Sequence, residues 1–312
     1  MDKTKVWLKA MRLRTLPLSL SGIIVGSLIA LKLDYWNALI FILSLFTTIF
    51  LQVLSNLAND LGDHLKGTDN EDRVGPKRTT QTGEISVSEM KKAVAFLSAL
   101  SLIFAGLLIW VAGREMSSSR IWMYIFLGIG ATLAALFYTL GKKAYGYSGK
   151  GDLFVFIFFG LVSVLGVYGL YAPFFYWQIV PVAVGVGLLS VAVLNLNNMR
   201  DHVNDKKSDK FTLVVKMGIH QAKIYHTALI LLACFAFAFS SLMFGDLAPL
   251  SIIALIPLLF HLKRVLETDN EEDLDPELKK VALNTFAISL IFGILINVQF
   301  ISHFFHNLIH GY

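Results

Sequence analysis

Nine apolar stretches run along this chain of 312 residues, each close to the ~20 residues a helix needs to cross a bilayer. They lie at about 16–33, 37–58, 93–112, 121–140, 153–171, 174–196, 225–244, 247–262 and 281–302. Stretches of this length are too long for core strands, and a membrane barrel would show alternating segments of about ten residues instead. The chain is therefore expected to be an all-α multi-pass membrane protein with nine transmembrane helices. Composition agrees: 55% of residues are hydrophobic and 16% charged, against about a quarter charged in soluble domains. The lone cysteine, Cys234, excludes an intramolecular disulfide and a thiolate metal cluster. The first stretch follows a basic start but has no convincing cleavage site, so it reads as a retained helix rather than a signal peptide.

Nine spans put the termini on opposite sides, and positive charge decides which side is which. Of 27 Lys and Arg residues, 24 fall on the N-terminal side, leaving Lys32, Arg114 and Arg120 for the other. The N-terminus is expected in the cytoplasm and the C-terminus outside. Membrane lipid, not nucleic acid, is the surrounding that this charge pattern suits. The long loops, about 34 residues after the second span and about 28 after the sixth, share the cytoplasmic side, so function is expected there. Ser86-Val87-Ser88-Glu89 has capping-box spacing ahead of the third span. Asp275-Pro276 reads as the N-cap and first residue of the last helix.

Two acidic motifs close the second and sixth spans. Asn59-x-x-x-Asp63-His64 and Asn197-x-x-x-Asp201-His202 match at an offset of 138 residues. The offset predicts a single domain, 1–312, made of a four-helix unit used twice, about 14–140 and 150–262, with a last helix at about 281–302. On a helix Asn56, Asn59, Asp60 and Asp63 form one stripe, and so do Asn197, Asp201 and Asp205. Carboxylates stacked beside carboxylates repel, and near a bilayer they are costly unless a cation lies between them. Mg²⁺ suits such oxygen sets, because it is held by one or two carboxylates with water and substrate phosphate completing its shell. Two matched clusters suggest two Mg²⁺ ions gripping a diphosphate, with Asn56, Asn59, Asp60, Asp63, Asn197, Asp201 and Asp205 as candidate ligands. Arg73, Lys77 and Arg78 after the first motif and Lys210 after the second are placed to meet phosphate oxygens.

These residues resemble the UbiA superfamily of intramembrane aromatic prenyltransferases over nearly the whole chain. The resemblance rests on Arg14-Thr15-Leu16-Pro17, the Ser55 to Asp69 segment, Asp72-Arg73-x-Gly75-Pro76-x-Arg78, Tyr138-Thr139 with Lys142, Tyr147 to Asp152, and Asn197-Asn198-x-Arg200-Asp201 through Asp205 to Lys210. The superfamily's first motif has the form Asn-x-x-x-Asp-x-x-x-Asp; here Asn59 and Asp63 are followed by Gly67, and Asn56 and Asp60 by His64. Within the superfamily the similarity is to the branch that acts on 1,4-dihydroxy-2-naphthoate in bacterial plasma membranes.

That resemblance implies nine helices around a central cavity and a Mg²⁺-bridged polyprenyl diphosphate, with 1,4-dihydroxy-2-naphthoate as the acceptor and demethylmenaquinone as the product. Asp60, Asp63, Tyr138, Lys142 and Asp201 become the candidate catalytic residues, Tyr138 and Lys142 sharing a helical face. Arg14, Arg73, Lys77, Arg78, Lys142 and Lys210 become the diphosphate contacts. The allylic C–O bond would ionise and the electron-rich ring attack, losing its carboxylate as CO₂ and a proton, for which Asp60 and Asp63 are candidate acceptors. Other aromatic acceptors such as 4-hydroxybenzoate remain open. A secondary transporter would carry its acids at mid-membrane in broken helices, whereas here they gather at helix ends. The turn from Tyr147 to Asp152 reads either as a helix start capped by Asp152 or as acceptor-pocket lining. Phe154, Phe156, Phe158 and Phe159 read first as core or lipid-facing, with contact to the prenyl chain as the alternative. The acidic run from Glu267 to Glu277 reads as a solvated loop, and His303, His306 and His310 as an interfacial tail.

Overall fold

The computed structural model describes residues 2–71 and 74–300, so Arg73 and the three C-terminal histidines lie outside the described residues. Those residues form an all-helical bundle without strands. Nine helices are long and apolar enough to span a membrane: α1 Lys3–Lys32, α2 Ala38–Leu65, α3 Val87–Glu115, α4 Ser118–Phe137, α5 Gly151–Tyr171, α6 Ile179–Lys207, α7 Ile219–Phe244, α8 Ala248–Glu267 and α9 Glu271–Leu295. The number expected from hydropathy is borne out among these residues. α6 is the axis, with 67% of its apolar window inside the bundle against 11% for α4. The most extensive pairings are α2 with α3 and α6 with α7. Exposed Phe96, Trp110, Phe126, Phe235 and Phe260 face outward from the peripheral helices.

Local chemistry sets the helix starts. The Asn37 side chain accepts from the N–H groups of Leu39 and Ile40 at 2.9 and 3.1 Å, opening α2. The expected capping box opens α3: Ser86 Oγ accepts from the Glu89 N–H, and the Glu89 carboxylate accepts from the Ser86 N–H. α1 breaks at Arg12, whose φ of 48° is left-handed, a geometry that costs a non-glycine residue about 1 kcal/mol or more. The ion pair of Arg12 with Asp60 on α2 holds it there. Asp275 differs from expectation. The cap falls on Leu274, and Asp275 is already helical because a short 3₁₀ turn, Glu271–Leu274, precedes it.

Two further expectations change. α4 ends at Phe137 and the chain turns at Gly141, whose φ is +83°, so Tyr138 and Lys142 do not share a helical face. The acidic run is not wholly solvated either. Asp275 pairs with Arg200, and Glu277 is 4% exposed, accepting from His261 Nδ1 at 2.6 Å. His261 Nε2 lies 2.9 Å from His226 Nε2, so a buried polar chain ties α7, α8 and α9 together. In addition, α5 is underwound from Phe156 to Gly166 into π-helix, a distortion that recurs at functional sites.

α5 and α6 approach through glycine. A Cβ on Gly160 would lie 2.6 Å from the Gly187 Cα, the close backbone contact that small residues permit between membrane helices. Gly160→Leu is therefore expected to cost about 1–3 kcal/mol through overpacking, read as a lowered melting temperature of the detergent-solubilised protein. An unchanged melt is incompatible with this contact.

Candidate active site

The ends of α2 and α6 that carry the motifs face one another across the mouth of a cavity of about 840 Å³. Asn56, Asp60 and Asp63 are buried on one stripe of α2, as their spacing requires. Two arginines hold the carboxylates. Arg12 and Arg78 both bond Asp60, and Arg78 reaches Asp63 and Asp69 at 3.3 Å each. Asn56 is oriented by donating to the Met11 carbonyl at 2.9 Å and to Thr15 Oγ1 at 3.1 Å. Burial lowers the Arg78 pKa to about 10 against the pull of Asp201, so the guanidinium stays charged at neutral pH.

On α6, Arg200 takes both oxygens of Asp201, at 2.9 and 2.7 Å, and donates to Asn197 Oδ1 at 2.8 Å. Its remaining nitrogen bonds Asp275 at the start of α9. Lys210 lies 3.3 Å from Asp205. Burial alone would lower the Lys210 pKa, yet Asp63 and Asp205 raise it above the ordinary lysine value. Tyr147 stands between the two motifs. Its hydroxyl donates to Asp63 Oδ1 at 2.7 Å and lies 2.6 Å from Thr68 Oγ1. Asn204 of α6 donates to the Thr68 carbonyl at 2.9 Å.

Most of the sequence-derived residues meet here. Arg14, Asn56, Asn59, Asp60, Asp63, Lys77, Arg78, Tyr138, Asn197 and Lys210 line the cavity. Asp201 and Asp205 are buried behind the Arg200 and Lys210 side chains that form the wall. Lys142 is the exception: it is exposed and absent from the lining, because the turn after α4 carries it outward. Tyr138 remains in the wall, with burial, then Asp152 and Asp63, raising its pKa so that it stays a hydroxyl donor. Arg12, Asp69, Arg200 and Asp275 were missed. Arg12 is masked in sequence by the basic start and Asp275 by its helix-start signal, whereas Asp69 and Arg200 stand inside the segments that carry the resemblance.

Below the charged mouth the cavity is apolar. Asp60 and Ser44 both line it from α2, sixteen residues apart and so about 24 Å along the helix. Phe154, Phe158 and Phe159 line it from α5, contrary to the core or lipid expectation, while Phe156 packs in the core. Tyr145 and Phe154 stack with ring centroids 4.0 Å apart. Asp152 does not cap α5; it accepts from the Tyr225 hydroxyl at 3.1 Å.

The donor set fits a hard divalent cation. Among the described residues no three His, Cys, Asp or Glu side chains converge into a cage of their own; Mg²⁺ takes one or two carboxylates beside water and phosphate. Asp205 Oδ2 and Asn204 Oδ1 are buried without hydrogen-bond donors, and buried oxygens of this kind call for a partner.

Residues 19–291 match the UbiA prenyltransferase family. The chain belongs to that family. It is 39% identical over 301 residues to a 1,4-dihydroxy-2-naphthoate octaprenyltransferase of Haemophilus influenzae, covering 94% of this chain and 96% of that one. It is 40% identical over 237 residues to an Escherichia coli protein of the same name, covering 75% and 76%. Among solved structures, a UbiA homolog from Archaeoglobus fulgidus bound to GPP and Mg²⁺ matches with a TM-score of 0.66 at 17% identity, over 93% of this chain and 99% of that one. That likeness shows the UbiA fold, and the family makes this chain a prenyltransferase.

The arginine clamp of this UbiA member has a measurable consequence. Arg78→Met leaves Asp60, Asp63 and Asp69 with less compensating charge, and breaking a buried ion pair costs about 3–5 kcal/mol. The variant is expected to melt well below the parent in metal-free detergent. A melt equal to the parent's would mean that the carboxylates do not depend on Arg78.

Proposed function

We propose that this prenyltransferase transfers a polyprenyl group from polyprenyl diphosphate to 1,4-dihydroxy-2-naphthoate. The ring carboxyl leaves as CO₂ and a proton, and the product is demethylmenaquinone in its reduced form. The observation that carries this reading is the pairing of an acid-and-arginine mouth with an apolar cavity about 24 Å deep. One end suits a diphosphate with its cation and the other suits a hydrocarbon chain. The acceptor follows from the relatives' names and their identity to this chain.

Asn56, Asn59, Asp60, Asp63, Asn197, Asp201 and Asp205 would hold the metal, as two Mg²⁺ ions. Bound there, Mg²⁺ would supply charge neutralisation for the departing diphosphate. Arg14, Lys77, Arg78 and Lys210 line the same mouth and bind diphosphate oxygens. Tyr138 donates its hydroxyl to one of them. The allylic C–O bond breaks with its electron pair on oxygen, releasing pyrophosphate, and the ring carbon supplies the pair for the new C–C bond. The apolar walls keep water from the allylic cation. The Tyr145–Phe154 stack offers it aromatic faces. Asp60 and Asp63 are the acids nearest to accept a proton from the ring.

The protein is read as a single domain of two four-helix halves and a ninth helix in a bacterial plasma membrane. Its N-terminus and motif loops are cytoplasmic and its C-terminus outside, as the distribution of positive charge favours.

Purified protein in detergent, given a polyprenyl diphosphate and 1,4-dihydroxy-2-naphthoate, should yield prenylated naphthoquinone and CO₂ with Mg²⁺ and neither with EDTA. Product from 4-hydroxybenzoate alone would overturn the acceptor. Asp63→Asn and Asp201→Asn should each lower turnover about 100-fold or more while the protein remains folded; normal turnover in either would refute the two-motif site.

A further inference from the structure

Tyr147 touches the surroundings of both acidic motifs at once, Asp63 with its hydroxyl and Lys210 with its ring, and the reaction as written gives it no task. Its phenol has a single proton, which goes to Asp63 Oδ1 at 2.7 Å, so the 2.6 Å contact with Thr68 is a bond donated by Thr68. The Thr68 carbonyl in turn accepts from Asn204, one residue before Asp205. The Tyr147 carbonyl accepts from the Phe211 N–H at 3.1 Å, next to Lys210. Above the ring stand the ammonium groups of Lys66, 3.9 Å from the centroid, and of Lys210, 5.6 Å away. Lys210 closes the circuit on Asp205 at 3.3 Å. The turn that carries Tyr147 is itself pinned: Lys216 donates to the Ser148 carbonyl at 2.6 Å, and Gly149 completes the turn at a φ of +78°.

We infer that Tyr147 is a positioning residue that fixes the separation of the two acidic motifs, its hydroxyl holding Asp63 while its carbonyl and ring hold the Lys210–Phe211 segment that pairs with Asp205, and thereby sets the affinity of the site for divalent cation and diphosphate together. The physical reason is geometric. Asp63 is on α2 and Asp205 on α6. A cation–diphosphate unit must meet both at fixed distance, and a rigid aromatic spacer bonded to Asp63 at its hydroxyl and to the Phe211 N–H at its carbonyl holds that distance without adding a charge. The same contacts explain why this turn, which the sequence leaves between a helix cap and an acceptor wall, is built around a tyrosine.

The inference rests on the cation–diphosphate reading of the mouth but not on the identity of the acceptor. The test is Tyr147→Phe, which keeps the ring and removes the hydroxyl, in full-length protein purified in detergent. Thermal stabilisation is titrated with MgCl₂ at fixed inorganic diphosphate, beside steady-state kinetics at varied Mg²⁺ and varied naphthoate. Losing a hydrogen bond to a charged group should raise the half-saturating Mg²⁺ about tenfold in both measurements. The metal-free melting temperature should fall modestly, because buried Asp63 Oδ1 loses its donor, and the KM for naphthoate should stay near the parent's. Thr68→Val removes the hydroxyl that orients the Tyr147 phenol while keeping the Asn204 bond to the Thr68 carbonyl; it should move the Mg²⁺ midpoint in the same direction, which keeps the test open if Tyr147→Phe folds poorly. An unchanged Mg²⁺ midpoint overturns the inference, and an unchanged midpoint with a raised naphthoate KM would place Tyr147 in the acceptor pocket instead. If the parent itself shows no stabilisation by Mg²⁺ and diphosphate, the cation–diphosphate reading fails with it, whatever the variants do.

Discussion

Burying carboxylates beside carboxylates at the end of a membrane helix is the constraint around which this protein is built. Asp60, Asp63 and Asp69 are each less than a tenth exposed, and charges in such surroundings are tolerated only when paired. Arg78 and Arg12 supply the pairing from the loop after α2 and from the break in α1. The left-handed backbone at Arg12 and the path of the loop back across α2 both follow from that need. On the other half Arg200 does the same for Asp201, drawing in Asp275 at the start of α9. The ninth helix is thus tied to the second motif by charge, and to α7 and α8 by the His226–His261–Glu277 chain.

The mouth and the depth of the cavity answer opposite physical demands. A diphosphate with its cation requires oxygen ligands and fixed positive charge, whereas an allylic cation survives only where water is kept out. The bundle separates them along the helix axis. Motif residues occupy the last three turns of α2 and α6, and the apolar wall begins immediately below with Phe154 and Phe158 on α5. The π-helical stretch from Phe156 to Gly166 lies in this wall, and Gly160 lets α5 press against α6 at Gly187.

Much of this was legible in the sequence because it is periodic or charged. Apolar runs report helix number through the fixed thickness of a bilayer, the repeated Asn-x-x-x-Asp motif reports matching helix faces, and the Ser86 capping box reports a helix start. Tyr138 and Lys142 show where such reasoning stops: a spacing of four means a shared face only inside a helix, and Gly141 ends that condition. The phenylalanines of α5 failed for a related reason, since an apolar ring reads the same whether it meets lipid, core or cavity.

The sequence by itself determined the all-helical class, the number of spans, the two acidic stripes and the family, since each depends on local composition or on spacing along one helix. Tertiary structure alone decided which arginine neutralises which aspartate, that Asp275 and Glu277 are drawn inward from an acidic run, and that Tyr147 bridges two motifs 138 residues apart. Those outcomes depend on contacts between residues far apart in the chain, such as Arg12 with Asp60 and Arg200 with Asp275. A buried charge is satisfied by whichever partner the packing brings near, and the sequence lists candidates without saying which arrives.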